Sequence, residues 1–372
     1  MTGRRAFIHD ALSCAGHIAL ATATLPLLSR RAWAAPRGAR VVAEEPFARL
    51  ESVADGVWAL VSTPLSGDMT TVANGGIIAG RSGVLVIEGL MTVAGARWLG
   101  EQARALTGRW PTHLVCTHYH SDHVNGLAGY AGDGSHVVTH LTAASRDLAA
   151  KNTPPDPVRA SALSTASVID ASAPTTLDLG GRRVRLVPRL GHTASDVTIE
   201  LDDPAVTFCG DLVWNAMFPN YVDARPSALA TNVRALLRPG TVRYVPGHGP
   251  VAAAGDVTRY LEMLGEVERA ARDAVTRGVA SADAAAAFKF SSGIGEWAMF
   301  SPAFLPRAFE AWRRELAPGG CPSRGSGGAG RPRRWRGTGR SRRRGPARNV
   351  GALGAGARPA QPAPRTRRVV AA

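Results

Sequence analysis

Cysteine is scarce in this chain: four among 372 residues, at positions 14, 116, 209 and 321. So sparse and scattered a set excludes a disulfide scaffold. Cys116 and Cys209 lie in apolar runs and read as buried free thiols. Long apolar runs are also missing beyond residue 34, where no stretch approaches the ~20 residues that a helix needs to cross a bilayer. Acid is absent from one whole region: residues 319–372 hold 14 arginines and no aspartate or glutamate. Residues 1–34 add four arginines against Asp10 alone. These two ends account for the formal charge of +15 and leave residues 35–318 slightly acidic. A basic nucleic-acid-binding face is therefore not expected on the part that folds.

The ends have their own textures. Arg4 and Arg5 precede an apolar segment from about Ala11 to Leu28, and Ala32-Trp33-Ala34 follows as a small-x-small site. That order predicts a twin-arginine (Tat) signal peptide over 1–34, cleaved after Ala34, with the Tat machinery as partner and a periplasmic destination. The segment is short and interrupted by His17, so no stable membrane anchor is expected. Residues 318–372 are rich in Gly, Pro, Ser and Arg and offer too little apolar surface to offset the entropy of ordering. They are expected to form a disordered tail outside a domain at 35–317.

Within that domain the pattern alternates. Leu50–Val53 and Val57–Val61 flank the Asp55-Gly56 turn, and Gly75–Ala79 and Val84–Glu88 flank Arg81-Ser82-Gly83. Val93, Ala96, Leu99, Ala103 and Leu106 then follow helical spacing over 93–107. Leu114–Cys116 reads as a short buried strand, and a strand and helix follow within His136–Ala150. Thr176–Leu179, Arg183–Pro188, Val197–Leu201 and Val206–Cys209 make a second strand block, extended by a helix at 228–237 and a strand at Val242–Val245. Helices are expected at 255–276 and 302–316. Two strand blocks with interleaved helices suit an α/β (α+β) fold in which two sheets pack face to face with helices outside.

His118-Tyr119-His120-Ser121-Asp122-His123 places four metal-competent side chains within six residues, at the end of a buried strand. An extended segment points His118 and His120 to the same side, and a bend beyond lets Asp122 and His123 approach from another direction. Imidazole nitrogen and carboxylate oxygen suit zinc, while iron or manganese would accept the same donors. Further ligands are expected after other strands. His192 in Gly191-His192-Thr193, Asp211 after Cys209-Gly210, and His248 in Gly247-His248-Gly249 each combine a strand end with a glycine that permits close backbone approach.

The T-H-x-H-x-D-H motif, the G-H-T, the G-D and the G-H-G, in this order over roughly residues 47–250, resemble the metallo-β-lactamase superfamily. The resemblance implies an αββα four-layer sandwich and two Zn2+ ions. It assigns His118, His120 and His192 to one ion, Asp122, His123 and His248 to the other, and Asp211 as the bridge. It also implies a hydrolase that uses a metal-bridging hydroxide on an ester, lactam, thioester or phosphoester of a small-molecule substrate, with Asp122 steering a proton. Three narrower alternatives are a periplasmic β-lactamase, a mononuclear-iron persulfide dioxygenase and a non-catalytic metal-stabilised assembly or binding protein. Asp211 stands where one group of β-lactamases carries a cysteine ligand, which argues against that group. The residues after Asp211 do not match the glycine-rich segment of the glyoxalase II branch. Trp214, Phe218 and Tyr221 are candidate substrate contacts, and Pro64–Thr71 is a candidate flap. His113, His136 and His140 are read as structural.

Overall fold

The computed structural model describes residues 40–317, apart from 132, 133, 135, 153 and 154. The signal-peptide reading over 1–34 and the tail reading over 318–372 both fall outside the described residues. Thirteen strands are described, in two sheets. The first sheet runs in sequence order: β1 (Arg40–Glu45), β2 (Ala48–Ala54), β3 (Val57–Ser62), β4 (Gly75–Ala79), β5 (Val84–Ile87), β6 (His113–Val115), β7 (Val138–Thr142) and β8 (Ser167–Ile169). β1 to β5 are antiparallel, and β5 to β8 are parallel. The change follows from the connections, since short turns join most of the early strands and a loop the third pair, whereas helices cross over between the later ones.

The second sheet has the order β13-β12-β11-β10-β9, made from Thr175–Asp178 (β9), Arg183–Arg189 (β10), Asp196–Leu201 (β11), Val206–Trp214 (β12) and Arg243–His248 (β13). All nine residues of β12 are buried, as expected for a strand covered on both faces. Between the sheets lies a core of Val57, Ala59, Val61, Ile78, Leu85 and Ile87 from one side, with Val184, Leu186, Val197, Ile199 and Phe208 from the other.

Helices close both outer faces. Helix α1 (Val93–Thr107) begins where the Thr92 side chain accepts from the Gly95 amide at 3.1 Å and ends at Gly108 with φ +73°. Its Ala96, Leu99 and Ala103 pack on the first sheet beside Leu60, Ile77 and Val86. The second sheet is covered by α5 (Pro226–Leu236), α6 (Ala254–Thr276) and α8 (Phe304–Leu316), which bury Leu229, Val233, Tyr260, Met263, Phe304 and Trp312. The layers are thus helix, sheet, sheet, helix, the expected αββα sandwich. Among the described residues no helix is long and apolar enough to cross a membrane. Short helices α2 (Ser121–Val124), α3 (Ala143–Asn152), α4 (Pro157–Ser164) and α7 (Ser281–Ala287) complete the set.

Candidate metal centre

The seven expected ligands meet at one end of the sandwich, where strand ends from both sheets converge. β6 runs into Thr117 and His118, and α2 turns the chain so that Asp122 and His123 come round from the far side. β10 leads to His192, β12 carries Asp211 within its length, and β13 ends on His248. The parallel pairing of β12 with β13 shifts register on both sides of Gly210, which frees Asp211 from the ladder. Glycine is required at 247, because a Cβ there would lie 1.9 Å from Asp211 Oδ1.

Two groups of donor atoms form. In the first, His118 Nε2 and His192 Nε2 each lie 3.0 Å from His120 Nδ1. Asp211 Oδ2 completes it, 3.2 Å from His192 Nε2 and 3.9 Å from His118 Nε2. In the second, Asp122 Oδ2 lies 3.3 Å from His248 Nε2 and 3.6 Å from His123 Nε2. Asp211 Oδ1 stands 3.2 Å from that His123 nitrogen and 3.4 Å from that His248 nitrogen. Donors bound at ~2.1 Å around a tetrahedral ion sit ~3.4 Å apart, so both groups have the spacing of a zinc shell. Each oxygen of Asp211 faces a different group.

The donor chemistry fits metal better than it fits hydrogen bonding. His123 Nε2, His248 Nε2 and Asp211 Oδ1 are buried without an aligned hydrogen-bond partner, a costly state unless something else satisfies them. Burial pushes His192 down to about 3 and also lowers His118, with neighbouring imidazoles adding to the effect. Both are thus neutral, as ligands must be. Burial would lower His123 and His248 as well, but nearby carboxylates outweigh it. Glu88, Asp211 and Asp122 raise His123, and Asp211 and Asp122 raise His248 to about 9. A divalent cation would take over the charge that those two protons balance.

Around the ligands stand residues that the sequence did not single out. Glu88, buried after β5, accepts from the Thr117 hydroxyl at 2.7 Å and amide at 3.2 Å, and lies 3.1 Å from His123 Nδ1. The Thr117 hydroxyl is in turn 3.0 Å from His118 Nδ1, so one carboxylate steadies ligands of both groups. Glu88 holds φ +76° to do so, a strained backbone of the kind that persists where surroundings impose it. Asp196 accepts from the amides of His192 (3.0 Å) and Thr193 (3.1 Å) and fixes that loop. Asp223 accepts from Tyr119 Oη at 2.6 Å and lies 2.9 Å from His120 Nε2, which turns Nδ1 of that ring toward the donor group.

Of the candidate substrate contacts, Trp214 lies over His248, with ring centroids 4.0 Å apart. Phe218 and Tyr221 are fully buried, pack against each other at 5.9 Å and belong to the helix-side core. Phe300, beyond every motif noticed in the sequence, packs edge-on against His248 at 5.3 Å. Pro64–Ser66, within the expected flap, is a short 3-10 turn. His113 and His140 pair at 3.1 Å, between His113 Nδ1 and His140 Nε2. His136 is exposed.

Residues 70–248 match the family model described as the metallo-beta-lactamase superfamily. The metallo-β-lactamase of Erythrobacter litoralis, solved with β-mercaptoethanol in its active site, is similar at 21% identity and a TM-score of 0.50. That likeness covers 60% of this chain and 99% of that one. The stereoselective inverting sec-alkylsulfatase Pisa1 from a Pseudomonas species gives a TM-score of 0.56 at 16% identity over 72% of this chain. This chain spans 50% of the sulfatase. At such identities the likeness is one of fold. No curated protein matches.

Proposed function

The chain belongs to the metallo-β-lactamase superfamily over residues 70–248, and on that premise we propose that it is a dinuclear zinc hydrolase acting on a small molecule with an ester, lactam, thioester or phosphoester bond. The observation that carries this reading is the placement of Asp211, whose two oxygens stand at 3.2 Å from donors of two separate groups. His118, His120 and His192 would hold one ion, Asp122, His123 and His248 the other, and Asp211 both. Zinc bound there supplies Lewis-acid polarisation and a water acidified toward neutral pH.

The protein's own part is positioning and proton handling. Asp122, with a side chain 18% exposed, is open to solvent where Asp211 is not (3%). On this reading it is the carboxylate that takes up a proton from a water molecule entering the centre. Glu88, Asp196 and Asp223 fix the imidazoles before substrate arrives, so little reorganisation is left for the reaction. Trp214 and Phe300 exclude water behind His248. The N-terminal signals support export to the periplasm as part of the same proposal.

The test is metal content per chain measured together with turnover of nitrocefin, a thioester and a phosphodiester. Two zinc ions and hydrolysis of at least one bond type are expected. A single iron without hydrolysis, or no bound metal, would overturn the reading.

A further inference from the structure

Residues beyond 248 lie outside the family match, yet they are stitched to the segment that supports His120. Phe218 N donates to the Ala298 carbonyl at 2.8 Å, and Ala298 N donates to the Ala216 carbonyl at 3.1 Å. Ala216 opens this segment at φ +56°, so the path begins from a conformation that needs outside support. Four residues on, Asn220 Oδ1 accepts from the Val222 amide at 3.2 Å and from Arg307 Nη1 at 3.3 Å. Arg307 projects from α8, where its guanidinium also stacks 5.7 Å from the Phe304 ring. Next to the Asn220–Val222 turn stands Asp223, the carboxylate 2.9 Å from His120 Nε2. A continuous path thus runs from the C-terminal helix through Arg307, Asn220 and Asp223 to a donor of the first group.

We propose that Arg307 is a positioning residue of the metal centre. It holds the Asn220 turn so that Asp223 faces His120 Nε2 and the other ring nitrogen, Nδ1, faces His118 and His192. The C-terminal segment that supplies it would then be a working part of the centre and not only a cover for the second sheet. Among the described residues Arg307 has no carboxylate at ion-pair distance, so its charge is not absorbed by a surface salt bridge. The direct outer partner of a ligating histidine commonly contributes 10–100-fold in metal affinity. Acting two steps further out, through Asn220 and Asp223, Arg307 should stand at the low end of that range, about 10-fold.

The proposal rests on the metal-centre reading, and its test separates the two. Zinc affinity of the full chain is measured by competition with a chromophoric chelator for the parent, Arg307→Ala, Asp223→Asn and the double variant. Metal-free melting temperature is recorded alongside. Arg307→Ala should bind zinc about 10-fold more weakly, Arg307→Lys should recover part of the loss, and Arg313→Ala, exposed on the same helix, should match the parent. In the Asp223→Asn background, removing Arg307 should cost little more, because the path is already cut. Parent-like affinity in Arg307→Ala, or losses that simply add to those of Asp223→Asn, would overturn the positioning role alone. If Arg307→Ala does not fold, the Lys variant decides in the same way, by whether its deficit vanishes in the Asp223→Asn background. A parent chain that binds no zinc would overturn the metal-centre reading and this proposal with it.

Discussion

Asp211 is where the chemistry of this chain is most concentrated, since one side chain serves both donor groups. Asp211→Ala removes an oxygen from each group and the negative charge between them. The second group, left with Asp122, His123 and His248, should lose its ion first. Purified variant is expected to carry one zinc against the two expected in the parent, with turnover down at least ~100-fold; two retained ions with near-normal rates would refute the bridge. His140 offers a contrast. Burial, reinforced by His113, brings its pKa down to about 4, against an ordinary value of 6.5. Between those values the unfolded chain binds a proton that the native one refuses, so stability is full above pH 6.5 and falls as pH drops toward 4. His140→Gln should flatten the difference in melting temperature between pH 7 and pH 5 in metal-free protein; an unchanged difference would show that other groups set it. All seven side chains that meet in the two donor groups were legible in the sequence as candidate ligands, because each pairs a metal-competent side chain with a strand end or a turn. Glu88, Asp196 and Asp223 were not. A lone acid is common on any surface, and each of these gains its role only through partners brought near by folding, such as Thr117 for Glu88 and Tyr119 for Asp223.

At the scale of elements, segments with a clear apolar period or a buried apolar run were readable, and short segments without one were not. Helix 93–107 was expected at the bounds observed, because five apolar side chains repeat at helical spacing and Gly108 stops it. The expected strand at 206–209 continues to Trp214. Its later residues look irregular in sequence, because register shifts around Gly210 break the alternation. Strands 40–45 and 167–169 and helices 157–164 and 281–287 went unnoticed. They are short and carry few buried apolar residues, so neighbours and not local pattern hold them in place. The β12–β13 pair shows how an element reaches into the site. Gly247→Ala would drive a methyl into Asp211 Oδ1. The strands must part or Asp211 must turn away, at a cost of about 1–3 kcal/mol for an overpacked position. The expected result is a lower melting temperature together with loss of one zinc. A variant with parental metal content would mean that the strand end yields more easily than its packing suggests.

For the whole molecule, the division of labour lies between a nearly neutral sandwich and the two basic ends. Among the described residues, the core between the sheets and the two helix-side cores draw on residues 42–316. The stretch that follows, with 14 arginines and no acid beyond residue 318, brings self-repulsion at low salt and little apolar surface to repay ordering. Ending the chain after Pro318 should therefore leave melting temperature and zinc content unchanged. At the other end, Arg4→Lys with Arg5→Lys should trap the precursor in the cytoplasm, and mature protein should begin at Ala35; unchanged fractionation would sink export by the twin-arginine route. The two ends are best tested together, because a folded, metal-loaded domain is the kind of cargo that the twin-arginine reading implies. A chain truncated at 318 with its N-terminus intact should still be exported and arrive with zinc bound. A fall of several degrees in its melting temperature would show that the tail docks on the domain, and the boundary at 317 would have to move.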